Sequence, residues 1–331
     1  MADESNSCSL AVRGITKQYG DFLAVDDLSL AVPGGTIFGL LGPNGAGKTT
    51  TIRMIMDIIA PDHGEVRFFG RPRKTDDLKR IGYLPEERGL YRKMKVTEHL
   101  VFLGELHGLS KRDAVPRIEE WLERVELGEW ADKKVEELSK GMQQKIQFVA
   151  SVIHQPSLVI LDEPFSGLDP VNMRLLRDLV LAEHRRGATI IFSTHVMPQA
   201  EQICDHVVMI HDGNKVLDES LEAIRAHFDP RTILFEPMHA GDDGATLGGL
   251  SGIDDVHHRD GAWEISLVEG ADPADAMRRI VDTIPPARIE LRRPTLEDIF
   301  VDIVGHTGAA SADETERLRA SLRDDAAGAT A

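Results

Sequence analysis

The chain has only two cysteines, Cys8 and Cys204, in 331 residues. Two thiols cannot build a disulfide framework or a four-ligand zinc site, and their scarcity suits a reducing compartment. Long apolar runs are also missing. No stretch reaches the roughly 18 apolar residues that a spanning helix needs, so no membrane insertion is expected. The opening MADESNSCSL lacks a basic start and an apolar stretch, so no signal peptide is expected and a cytosolic location is. Cations are the minority charge: 38 Lys and Arg stand against 55 Asp and Glu, a formal balance of −17. Nucleic acids and anionic lipid surfaces need clustered cations, so neither is expected as a direct partner, and any membrane contact should run through a protein. Salt adaptation would explain the acidity equally well. What is present, 42% hydrophobic and 28% charged residues, is ordinary for a folded chain with room for two or three domains.

The stretch IFGLLGPNGAGKTTTIRMIM reads as an apolar strand, a glycine loop and a helix with Ile52, Ile55, Met56 and Ile59 on one face. Within it, Gly42, Pro43, Asn44, Gly45, Ala46, Gly47, Lys48 and Thr49 fit the pattern G-x-x-x-x-G-K-[ST], with Thr50 following. Glycines let successive amides turn inward around a polyphosphate. Lys48 brings a point charge to the terminal phosphates, and the Thr49 hydroxyl suits a magnesium ion.

Further along, SLVILDEPFSGLDP is a short apolar strand ending in two carboxylates. At the carboxyl edge of a sheet, Asp162 can hold magnesium while Glu163 reaches an attacking water; the plainer alternative is a solvated strand end. ATIIFSTHV is a similar strand ending at His195, placed to contact a γ-phosphate if its strand lies in the same sheet.

A second phosphate signal stands apart from the first. In ELSKGMQQKIQ, Ser139 can cap a helix and Gly141 lets a ligand approach, while Ile146, Val149, Ala150 and Ile153 repeat at helical spacing. A helix start that merely caps itself would not need Gly141.

With these motifs in this order, the chain resembles the ATP-binding subunits of ABC transporters from about Leu10 to about Phe228. The resemblance implies a P-loop NTPase α/β core with an inserted helical subdomain, ATP and Mg2+ as ligands, and ATP hydrolysis that drives a separate membrane permease. It assigns Tyr19 to adenine stacking with Val25 nearby, Glu163 to general base, His195 to γ-phosphate sensing, and Asp169 to coupling between two sites. LSKGM stands where the family usually has LSGGQ, with Ser139 and Gly141 kept, and Glu86 stands where a magnesium-contacting glutamine is usual. Both variants are familiar in the type-2 exporter branch, which moves sodium ions, drugs or other small molecules. The resemblance further implies a pair of such subunits, identical or not, a permease helix docked near Glu86 to Tyr91 with Leu90 and Tyr91 exposed, and a peripheral place on the cytoplasmic membrane face. A soluble ABC ATPase for ribosome, repair or chromosome work is the rival. It is disfavoured by the short interval from Gly47 to Ser139, by the lack of a repeat and by the missing basic surface.

The expected organisation is a tail over 1–9, an ATPase domain over 10–228 with its helical subdomain at about 90–155, an accessory domain over 229–305, and a disordered tail over 306–331. In the accessory part VHHRDGAWEISL signals a hairpin turning at Asp-Gly, and DPADAMRRIVDTI and ARIELRR read as helix and strand. PTLEDIFVDIVG follows as a helix with Thr295 and Asp298 as a capping box. This small α+β domain is similar to the C-terminal extension of many type-2 exporter ATPases.

Overall fold

Three apolar stretches, Ile37–Leu41, Leu158–Asp162 and Thr189–Thr194, are strands buried along their whole length, as parallel strands covered on both faces must be. In chain order they are β3, β7 and β8. Before β3 come β1 (Cys8–Tyr19) and β2 (Phe22–Pro33); β4 (His63–Phe68), β5 (Arg71–Pro72) and β6 (Ile81–Leu84) lie between β3 and β7; β9 (His206–His211) and β10 (Asn214–Ser220) follow β8. The computed structural model describes residues 8–87, 89–227, 232–239, 244–259, 261–268, 270–292 and 294–306. The order of the six-stranded sheet is β10-β9-β3-β8-β7-β6, parallel except at the β10 edge. A second, antiparallel sheet has the order β2-β1-β4-β5.

Helix α1 (Lys48–Ile55) leaves the end of β3. One apolar cluster joins Leu10, Val12 and Val25 of the antiparallel sheet, Ile52 and Ile55 of α1, and Phe38, Ile160 and Ile191 of the parallel sheet. Each such side chain contributes about 1.5–3 kcal/mol by leaving water, so α1 and the loop before it sit on a stiff base. Between β6 and β7 the chain inserts α2 (Val96–Leu106), α3 (Lys111–Arg124) and α4 (Lys140–Val152); α5 (Pro170–Arg185) and α6 (Met197–Ile203) follow β7 and β8. Asp169 caps α5 by accepting from Val171 and Asn172 N–H, with Pro170 at the first helical position. Strand β1 begins at Cys8, inside the segment expected to be tail.

The chain divides into two compact units, a smaller one being Glu222–Ile299. Helix α7 (Leu221–His227) opens it. Its sheet, ordered β12-β13-β11-β14, is antiparallel throughout and is made of β11 (Thr232–Pro237), β12 (Ile253–Arg259), β13 (Ala262–Leu267) and β14 (Pro286–Arg292). Arg259 pairs with Ala262 across the expected hairpin; Asp260 lies outside the described residues. Helix α8 (Pro273–Thr283) packs Ile280 with Ile233, Phe235 and Ile265 in a separate core. Before α9 (Leu296–His306), Thr295 N–H donates to Asp298 at 3.0 Å and Asp298 N–H to the Thr295 hydroxyl at 3.2 Å, the reciprocal bonds of a capping box. The expected disordered tail falls, apart from His306, outside the described residues. Among them no helix is long and apolar enough to cross a membrane.

Candidate active site

The loop from β3 to α1 is shaped by glycines, two of which leave no room for a side chain. A Cβ on Gly42 would lie 2.1 Å from the Ile210 carbonyl, and one on Gly47, at φ +106°, would lie 2.5 Å from the Ala24 carbonyl. Gly45 faces open space, leaving room for a ligand against the backbone. A cavity of about 430 Å³ opens here, lined by Phe22, Ala24, Asn44, Gly45, Gly47, Lys48, Thr49, Thr50, Glu86 and Glu163.

Charged groups converge behind it because β7 and β8 are neighbours in register and end together. Lys48 is 5% exposed; its Nζ donates to the carbonyls of Gly42 at 2.7 Å and Pro43 at 3.1 Å and lies 3.8 Å from Glu163 Oε1. The same Oε1 accepts from the His195 backbone N–H at 3.1 Å and meets His195 Nδ1 at 2.8 Å. Glu163 sits at φ +47°, a left-handed conformation uncommon for a non-glycine residue and typical of functional sites. Its N–H is held by the Ser193 hydroxyl at 3.1 Å.

Asp162 is fully buried. Its Oδ1 accepts from the Ser193 hydroxyl at 2.5 Å and the Thr49 hydroxyl at 3.4 Å, whereas Oδ2 is buried without a partner. Burial pushes its pKa up, against the opposing hydrogen bonds from Ser193 and Thr49. Tyr83, on the adjacent strand, is pushed up to about 12 by burial and by the Asp162 charge. A buried carboxylate with an orphaned oxygen, a hydroxyl beside it and Glu86 on the cavity wall form an oxygen-only donor set. That set fits a hard divalent cation, with Asp162, Thr49 and Glu86 as the residues that would hold it.

The other sequence-predicted residues fall in two groups. Gly42, Pro43 and Ala46 shape the loop without lining the cavity. Val25 is fully buried in the core and Tyr19 is half exposed; neither lines the cavity, while Phe22 and Ala24 do. Ser139, Gly141 and Asp169 are also absent from its lining. The Ser139 hydroxyl caps α4 by accepting from Met142 N–H at 3.3 Å. A Cβ on Gly141 would meet nothing nearer than 3.5 Å, so its own fold would accept alanine, which favours a helix by about 1 kcal/mol. Tyr91 is exposed as expected, but Leu90 is only partly so.

Sequence reasoning missed Ser193, which from β8 bonds the Asp162 carboxylate and the Glu163 backbone N–H; its signal was the hydroxyl side chain two residues before His195. It also missed the buried Gln144, Lys145 and Gln147 of α4.

A glycine cradle, a buried lysine behind it, an oxygen donor set that fits a divalent cation and a second carboxylate beyond it match a P-loop nucleoside triphosphatase; the antiparallel sheet and the inserted helices with their capped glycine turn make it an ATP-binding cassette. The family described as ABC transporter matches residues 25–166, and that described as ATP-binding protein DrrA1-3-like, C-terminal domain, matches 220–304. The ABC transporter ATP-binding protein YhaQ of Bacillus subtilis (strain 168) is 41% identical over 296 residues, covering 89% of this chain and 98% of that one. The bacitracin transport ATP-binding protein BcrA of Bacillus licheniformis is 34% identical over 300 residues, 88% and 95% of the two chains. A solved structure described as the ATP binding subunit of an ABC transporter superposes with a TM-score of 0.62 at 32% identity, covering 66% of this chain and 92% of that chain. The chain belongs to the ABC transporter ATP-binding proteins, in the type-2 exporter branch, and is an ATPase whose hydrolysis is coupled to transport.

Proposed function

We propose that this subunit hydrolyses ATP with Mg2+ in a pair, with a second copy or another ATPase subunit, and drives a separate permease that exports ions, drugs or other small molecules. The observation that carries this reading is the convergence of Lys48, Asp162, Glu163 and His195 behind the glycine cradle. The bacitracin transport protein among the relatives and the DrrA-like C-terminal region support export. Residues 10–228 would be the ATPase domain and 229–305 the accessory domain. The permease would dock near Glu86 to Tyr91, which puts the subunit on the cytoplasmic membrane face.

In this mechanism the loop amides and α1's N-terminus receive the phosphates. Lys48 exchanges its two carbonyl partners for the terminal phosphates. Asp162, Thr49 and Glu86 would hold the cation, which when bound would supply positive charge against the charge developing on those phosphates. Glu163 takes the proton of the attacking water. His195 keeps Glu163 oriented through its N–H and Nδ1 and reports on the γ-phosphate. Tyr19 and Phe22, on the β1–β2 hairpin, would flank the base.

The test is direct. The purified chain should release phosphate from ATP only with Mg2+, Lys48→Ala should abolish release and weaken ATP binding, and the chain should sediment with membranes only when a permease encoded nearby is co-expressed. Near-normal turnover by Lys48→Ala would refute the assignment of this site.

A further inference from the structure

Helix α4 is buried nearly all round, and that burial takes in the polar side chains of Gln144, Lys145 and Gln147, with Gln143 partly buried beside them. Gln144, Lys145 and Gln147 are 4%, 6% and 5% exposed. Each of the four donates to the carbonyl of a different segment: Gln143 to Leu138 at 3.0 Å, Gln144 to Pro164 at 3.0 Å, Lys145 to Val125 at 3.2 Å, and Gln147 to Pro85 at 2.8 Å and Glu87 at 3.3 Å. Gln147 therefore holds the carbonyls on both sides of Glu86, whose own side chain lines the nucleotide cavity.

The bond is not explained by stability. Glu87 is exposed and Pro85 partly so, so this segment lies at the surface, where water competes for its carbonyls. Gln147 meanwhile buries its own Oε1 with no partner, which costs free energy that an apolar side chain of equal size would avoid. A buried donor retained at such a cost fits a residue that fixes geometry.

We propose that Gln147 is a positioning residue for Glu86: it ties the segment bearing that carboxylate to α4, so that this cavity wall moves with the helix whose first turn carries Ser139 and Gly141. The two ends of the tie are about 12 Å apart along the helix axis. Gln144 gives the same helix a hold on Pro164, the residue after Glu163. A phosphate arriving at the start of α4 thereby acts on both carboxylates of this chain's own site. This rests on the ATPase reading given above.

The experiment uses the full-length chain with Gln147→Met, which keeps the volume and removes the donor, and Gln147→Leu as a second variant. In the nucleotide-free proteins, cleavage by a glutamyl endopeptidase after Glu86 or Glu87 should speed up roughly tenfold, because the segment's opening equilibrium loses its anchor. Cleavage elsewhere should be unchanged and the melting temperature equal or higher. The Mg2+ concentration for half-maximal ATP hydrolysis should rise about tenfold, as for loss of an outer-shell partner, with turnover at saturating Mg2+ within about twofold. Unchanged cleavage at Glu86 and Glu87 in both variants would overturn the proposal, as would a lower melting temperature with unchanged Mg2+ dependence. Absence of ATP binding by the unsubstituted chain would defeat the ATPase reading instead, and the cleavage comparison would still decide on Gln147.

Discussion

Replacing Glu163 with glutamine separates binding from chemistry at this site. The amide oxygen of Glu163→Gln can take the place of Oε1 and accept from His195 N–H, so the local fold should persist. What is lost is the base, worth 10²-fold to 10⁴-fold in rate, or about 2.7–5.5 kcal/mol of barrier at 1.36 kcal/mol per tenfold. What is also lost is a negative charge 3.8 Å from Lys48 Nζ. At an effective dielectric near 20 that attraction is on the order of 4 kcal/mol before desolvation, and it competes with the incoming phosphates. Glu163→Gln should therefore lower turnover by at least about 10²-fold while binding ATP as tightly as the unsubstituted chain or more tightly. With ATP present, the variant should sediment as a stable dimer. Phosphate release, equilibrium binding of a labelled ATP and sedimentation velocity measure the three. Normal turnover, or a loss of affinity that matches the loss of rate, would refute Glu163 as the base.

How much of this was legible depended on what kind of constraint each residue meets. The phosphate loop was readable because backbone geometry writes itself as glycine: at Gly42 and Gly47 a side chain would strike a carbonyl. The strands β7 and β8 were readable because both faces are covered, which leaves an unbroken apolar run. Alternation is broken in β2. Register shifts in its pairing with β1, between Ile15 and Lys17 and between Lys17 and Gln18, bury consecutive residues, Ala24 and Val25. No period-2 count could say that Ala24 lines the cavity and Val25 the core. The buried polar side chains of α4 escaped notice for a different reason. Glutamine and lysine read as solvated side chains until the loop carbonyls that receive them are in place, and those come from segments distant in sequence.

Three further outcomes follow from the geometry. Ser193→Ala removes a donor to Asp162 and one of two acceptors for Glu163 N–H, the Ser193 carbonyl at 3.2 Å remaining; it should raise the Mg2+ needed for half-maximal turnover by roughly tenfold, and an unchanged Mg2+ dependence would show that Ser193 does not support the cation site. His99 is fully buried with both ring nitrogens unpartnered, and burial lowers its pKa to about 4. The unfolded chain then binds the extra proton between about pH 6.5 and 4, so stability is lost as pH falls through that window; His99→Leu should flatten the slope of melting temperature against pH there, and an unaltered slope would rule His99 out as a source. Mixing chains tests for whom the start of α4 works. Lys48→Ala disables a chain's own cradle, and Gly141→Asp places a carboxylate where a phosphate would approach, so each should be inactive alone. If Ser139 and Gly141 serve the partner's ATP, a mixed dimer gathers both lesions into one composite site and leaves the other whole, and trapping of one nucleotide per dimer should return. If each chain used its own α4, both sites would stay damaged and mixing would restore nothing. Trapping is the measurement to make, because turnover can require both sites at once, and mixed dimers that fail to trap nucleotide would overturn the shared-site reading.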